Sequence, residues 1–208
     1  MSDNNLNNQQ KNSRNTSMDV ARLVGVSQAT VSRAFDPSSK MKPTTREKVL
    51  NAALSLNYTP DAIARSLISN NTNIIAVIMQ NTTNPFYAKV LTKLSIQLRK
   101  FGKQILYFYL DNPDNLQQMI TQVLQYRVDG ILITSINLSS TIADTCLNFG
   151  IPVVLFNRQI NSSKIQSVCC DNFQAGRDCA DYFVMKGHRR LAFIGGFDTA
   201  STTLKRKE

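Results

Sequence analysis

The sequence predicts two units of different class: a small all-α domain over residues 16–59, then an α/β domain built on a doubly wound parallel sheet. Two patterns carry this. In the first part of the chain, apolar residues recur at helical spacing in short runs punctuated by Gly, Ser, Thr and Pro. From Asn73 onward, unbroken apolar runs of strand length alternate with amphipathic stretches, the signature of strands covered by helices on both faces. A hydrophobic fraction of 42% in 208 residues suffices for packed cores. Only residues 1–15, rich in Asn and Gln and without apolar periodicity, are expected to form a disordered leader.

The first helix starts at Thr16 or Ser17 as cap, with Asp19 in its first turn, and Val20, Leu23 and Val24 at helical spacing. Gly25 stops it, because Gly enters the left-handed region that a tight helix-to-helix turn needs. Ser27 is placed to cap a second helix over Gln28–Phe35. At 100° per residue Val31, Ala34 and Phe35 share one arc, while Gln28, Ala29, Ser32 and Arg33 share the opposite one. The sequence Thr44-Thr45-Arg46-Glu47 fits a capping box for a third helix, with Val49, Leu50, Ala53, Leu54 and Leu56 as its apolar face. Residues 60–72 hold a short fourth helix over Asp61–Ile68, capped by Thr59 with Pro60 at its first position, followed by a polar linker. About two turns are marginal as an isolated helix, so a partner surface or a plain connector role both fit it.

In the α/β part, residues 73–160 form a first subdomain: the strand IIAVIM, a helix from Asn84-Pro85 to about Phe101, the strand QILYFYL, a helix from Asn115 to Tyr126, the strand GILIT, a helix near Thr141–Asn148 and the strand PVVLF. Residues 161–208 hold part of a second subdomain, with a helix over about Phe173–Met185 and a strand over Leu191–Ile194. Ligands of such sheets bind beyond the carboxyl ends of the strands, which places the loop Gln80–Tyr87 and the pair Asn157-Arg158 at a crevice. Of the residues placed there, Phe86 and Tyr87 also read as core or helix-start packing and Asn157 as a strand-end cap.

Two helices joined by a tight turn, with short polar residues outward on the second, match helix-turn-helix geometry. Gln pairs with adenine edges, Arg with guanine, and Ser and Thr reach phosphates or bases. A three-helix packing module with a solvated face fits the same pattern. The net charge of +10 is spread evenly, +4 over residues 1–70 (nine basic, five acidic) and +6 over the rest (fifteen basic, nine acidic), so it adds little. A sugar-binding protein without DNA function is the main alternative. Enzyme chemistry is disfavoured: His188 is the only histidine, and G-x-S-x-G, P-loop and G-x-G-x-x-G patterns are lacking. Cys146, Cys169, Cys170 and Cys179 form no C-x-x-C pair and read as reduced, core-packing thiols, so neither a cofactor nor a metal is expected. No secretory h-region and no membrane-length apolar run occur, which predicts a cytoplasmic protein.

The stretch TSMDVARLVGVSQATVSRAF, residues 16–35, closely resembles the N-terminal signature of the lactose/galactose repressor (LacI/GalR) family, and LNYTPDAIARSL, residues 56–67, resembles its third-helix end and hinge helix. Val24 stands where the family has a small Ala, and Phe35 where it has an aliphatic residue. The resemblance implies base contacts in the major groove by Gln28, Ala29 and Arg33, with Ser27, Thr30 and Ser32 at phosphates or flanking positions. It implies that Leu67 wedges into a minor-groove step, that Ala64 lets two hinge helices approach, and that a homodimer binds a pseudo-palindromic double-stranded operator. The later region then resembles the family's periplasmic-binding-protein-like core, with Phe86, Tyr87 and Asn157 at effector-contacting positions and a sugar or related metabolite as effector. The stretch Asp171-Asn172, Gly176 and GHRRLAFIGG resembles the opening of the second lobe. That lobe is expected to be incomplete after Glu208, so effector control and dimerisation by this chain are expected to be compromised.

Overall fold

The computed structural model describes residues 15–61, 64–66, 71–80, 84–134, 136–160 and 162–208. The chain divides into two compact units, Met1–Ile68 and Ser69–Glu208.

In the first unit α1 (Ser17–Val24), α2 (Gln28–Ala34) and α3 (Pro43–Ser55) enclose a core of Val20, Ala21, Val31, Ala34, Val49, Ala52 and Ala53. Thr16 caps α1 in a full capping box: its side chain accepts from the Asp19 amide, and the Asp19 carboxylate accepts from the Thr16 amide at 2.9 Å. Those bonds, from the Thr16 amide first and its hydroxyl second, hold the Asp19 carboxyl below its ordinary value. Gly25 ends α1 at φ 71°, as its position predicts. The third helix departs from expectation at both ends of its pattern. Pro43, with φ already suited to the first helical position, opens it, so Thr44 lies inside and the N-cap Lys42 makes no side-chain cap bond. Leu54 turns to solvent, 75% exposed, and Ala52 takes the core position expected for it. Asp61 Oδ1 accepts from the Ala64 amide at 3.3 Å at the start of the helical residues 64–66; the rest of the helix expected over Asp61–Ile68, with the amides that Thr59 would cap, lies outside the described residues.

The second unit is a parallel five-stranded sheet in the order β2-β1-β3-β4-β5. Its strands are β1 (Ile74–Met79), β2 (Gln104–Tyr109), β3 (Gly130–Thr134), β4 (Val153–Phe156) and β5 (Gln166–Val168). The connecting helices are α4 (Pro85–Lys100), α5 (Leu116–Leu124) and α6 (Ser140–Asn148). Alternate strand residues serve opposite faces. Ala76, Ile78, Ile131, Ile133, Val153 and Leu155 join Leu116, Ile120, Val123, Ala143 and Cys146 of α5 and α6 in one core. Val77 and Met79 meet Tyr87, Leu91 and Leu94 of α4 on the other face. After β1 the chain steps out to β2, then returns across β1 to β3, so the strand order reverses between β1 and β3.

The α5 helix starts one residue later than expected, after a 3-10 turn over Pro113–Asn115. Beyond β5 come α7 (Asn172–Met185) and α8 (Ser201–Lys207). A Cβ on Gly176 in α7 would collide with the Arg206 carbonyl oxygen and stand 3.0 Å from its Cα, so glycine permits the close approach of α8. The strand expected over Leu191–Ile194 does not form. A strand exists only in a ladder, and the described residues give this stretch none; Ile194 is 97% exposed.

Candidate nucleic-acid interface and ligand crevice

The first site is built by α1 and α2 around a turn. Ser27 Oγ accepts from the Thr30 amide at 3.2 Å and lies 2.9 Å from Thr30 Oγ1, which fixes the start of α2. Val31 and Ala34, both buried, anchor the helix, and Phe35 meets Tyr58 edge to face at 5.8 Å below it. The opposite arc is left to solvent: Ser27, Gln28, Ala29, Ser32 and Arg33 are exposed, and Thr30 is half-buried. Of the expected contacts, then, Ser27 and Thr30 are partly engaged in capping, while Gln28, Ala29, Ser32 and Arg33 present an open face. The sequence reading missed one partner: Gln28 Nε2 donates to Ser17 Oγ at 2.8 Å, so the first residue of α1 orients the Gln28 amide. Ala64 is exposed, and Leu67 lies outside the described residues.

The second site lies at the carboxyl ends of β1 and β4. Asn84 caps α4 by accepting from the Phe86 amide at 2.9 Å, and Pro85 opens the helix. Tyr87 is 5% exposed, so its ring is core, but its hydroxyl accepts from Asn157 Nδ2 at 3.0 Å. Asn157 sits at φ 59°, a left-handed geometry that Asn tolerates better than most residues, and its amide donates to Val168 of β5 at 2.8 Å. Phe86 stays exposed and stacks on Phe156, 6.0 Å between centroids. The structure thus brings Phe86, Tyr87 and Asn157 together. Arg158, expected beside Asn157 at this crevice, donates from Nη1 to the Asn157 carbonyl at 2.7 Å and to Thr202 Oγ1 at 3.4 Å, and the structure adds Ser201, whose Oγ accepts from the Gln159 amide at 3.1 Å. Cys169 donates its thiol to the Arg158 carbonyl at 3.3 Å; burial raises its pKa, partly offset by the Arg158 charge. At the end of β3, between Met79 and Phe156 in register, Thr134 Oγ1 is buried with no hydrogen-bond partner among the described residues. A separate cleft of about 470 Å³ is lined by Gln159, Cys169, Cys170, Asp171, Asn172, Phe173 and Lys205; Phe86, Tyr87 and Asn157 do not line it.

Residues 16–61 match the family model described as bacterial regulatory proteins, lacI family. Residues 71–208 match that of periplasmic binding proteins and sugar binding domain of LacI family. The chain belongs to the lacI family of bacterial regulatory proteins. Among the relatives of this lacI-family chain, catabolite control protein A of Priestia megaterium is 34% identical over 182 residues, 87% of this chain and 55% of that protein. The sucrose operon repressor of Pediococcus pentosaceus is 33% identical over 192 residues, 91% and 58% of the two chains. The chain therefore spans a little over half the length of these relatives. The lac repressor dimer bound to operator and the anti-inducer ONPF superposes with a TM-score of 0.80 at 22% identity, covering 93% of this chain and 59% of that one, which shows the shared fold. No helix among the described residues is long and apolar enough to cross a membrane.

Proposed function

We propose that this chain is a sequence-specific DNA-binding transcriptional regulator, a repressor acting in the cytoplasm, with no catalytic role. It reads a pseudo-palindromic operator as a homodimer. The observation that carries this is the α2 face: a capped helix pinned by Val31 and Ala34, with Gln28, Ala29, Ser32 and Arg33 exposed on the arc opposite its core. Gln28 is held toward that face by Ser17, and the Arg33 guanidinium makes no hydrogen bond or ion pair among the described residues. A pre-oriented amide and an unengaged guanidinium are the groups that recognise adenine and guanine edges. Ser27, Thr30 and Ser32 serve the phosphates beside them, Ala64 allows close approach of paired hinge segments, and Leu67 enters the minor groove. The crevice of Phe86, Tyr87 and Asn157 takes the small-molecule effector, a sugar or related metabolite: the exposed Phe86 face packs against its ring, and the Asn157 amide, set by the Tyr87 hydroxyl, meets its hydroxyls.

Selection of bound sites from random double-stranded DNA, with oligomeric state measured alongside, tests the reading. Gln28→Ala and Arg33→Ala are expected each to cost about 1–3 kcal/mol at one base position and to relax specificity there. If both variants bind all sequences as the parent does, α2 is not the reading helix. Leu67→Ala is expected to reduce the DNA bend; an unchanged bend angle removes Leu67 from the wedge role.

A further inference from the structure

The chain carries a pair of adjacent thiols that the functions above do not use. Cys169 and Cys170 occupy the short segment between β5, which ends at Val168, and α7, which begins at Asn172. In a strand, neighbouring side chains point to opposite faces. This segment belongs to no ladder, and both cysteines line the same open cleft of about 470 Å³. The backbone beneath them is held: the Cys170 carbonyl accepts from Asn172 Nδ2 at 3.0 Å, and Cys169 Sγ rests on the Arg158 carbonyl. Cys170 is exposed, Cys169 is half-buried, Cys146 is enclosed in the core, and Cys179 is exposed on α7.

We propose that Cys169 and Cys170 form a two-thiol site for thiophilic electrophiles that take two sulfur ligands, trivalent arsenicals being the chemical class. Soft thiolates select soft centres. Among the described residues no group of three or more His, Cys, Asp or Glu is placed to cage a metal ion, so the site suits a centre satisfied by two sulfurs. With an organic arsenoxide, two As–S bonds form and the As–O bond breaks. The two thiol protons leave with that oxygen as one water, and no electrons are transferred. Bridging draws Cys169 Sγ off the Arg158 carbonyl, which adjoins Asn157. Occupation of the thiols therefore loosens the strand end that the effector crevice is built on; this last step rests on the crevice reading above, whereas the site itself does not.

Phenylarsine oxide added to the full chain tests the site without any variant. The expected result is one arsenical per chain, two thiols lost in titration, and peptide mapping that places the bridge on Cys169 and Cys170. Resistance to a monothiol competitor is expected to fall about 100-fold in either Cys169→Ser or Cys170→Ser, because the second bond becomes intermolecular. Cys179→Ser is expected to leave it unchanged. A bridge mapped to Cys179, two arsenicals bound singly, or resistance retained in Cys169→Ser overturns the proposal.

Discussion

Asp129 is the residue whose removal the structure makes most informative. Its carboxylate, just before β3, gathers four donors from three residues at two places in the chain. Oδ1 accepts from the Thr72 amide at 2.9 Å and its hydroxyl at 3.0 Å, and Oδ2 accepts from the Asn73 amide at 2.9 Å and Lys103 Nζ at 2.7 Å. One side chain thus pins the entries to β1, β2 and β3 at the end of the sheet opposite the crevice. In Asp129→Asn one oxygen survives, but the other becomes an NH₂ facing an amide and an ammonium. Two bonds to a charged acceptor, at about 1.5 kcal/mol each, set a loss near 3 kcal/mol. Lys103 keeps Asn73 Oδ1 at 3.1 Å and is 26% exposed, so water recovers part of it. The expected loss is about 2 kcal/mol, or roughly 6 °C in melting temperature for a unit of this size. The pH dependence gives a second check. Burial alone would raise the Asp129 carboxyl, but the Lys103 and Thr72 bonds outweigh it and hold the value below 3.8. A depressed folded-state value means the contribution is full above 3.8 and is lost as pH falls through the folded value. Urea unfolding of both proteins at pH 7 and in acid is the assay. A difference under about 0.5 kcal/mol at pH 7, or one that grows in acid, refutes the clamp.

Three further outcomes follow from packing. Val31→Ala removes two methyl groups from the fully buried centre of the small helical core and is expected to cost about 2 kcal/mol, whereas Leu54→Gln on the exposed side of α3 is expected to stay within about 0.5 kcal/mol; thermal melts of both compare them directly. Gly176→Ala sets a methyl against the Arg206 backbone and is expected to free α8, seen as faster tryptic cleavage at Lys205 and Arg206. Tyr87→Phe strands Asn157 Nδ2 and is expected to cost about 1 kcal/mol of stability by denaturant titration, with the ring packing retained.

What was legible in the sequence follows from how far apart the cooperating residues lie. The α1–α2 site is local: Thr16 and Asp19, Gly25, and Ser27 with Thr30 are caps and stops that operate within a few residues. A helical wheel then suffices to expose Gln28 and Arg33, and only the Ser17 bond to Gln28, eleven residues away, escaped. The third helix shows the limit of local signals. Thr44 and Glu47 offered a capping box, yet Pro43 set the start, and Ala52 packed where Leu54 was expected because the neighbouring helices decided which arc faces inward. The strands of the sheet centre were legible as apolar runs, but β5 reads QSV, all exposed, and is a strand only because β4 offers an edge. The stretch 191–194 is the converse, with strand composition and no ladder. The crevice lies between these cases. The loop ending at Tyr87 and the pair Asn157-Arg158 follow from the rule that sites sit at carboxyl ends of strands, but the contacts that hold them do not. Arg158 meets Thr202 across 44 positions and Asn157 meets Tyr87 across 70, so no periodicity or cap records either pairing. The left-handed backbone of Asn157 joins the two scales: a residue type that tolerates positive φ is a local signal, while the reason the chain must turn there is the β5 edge that receives its amide.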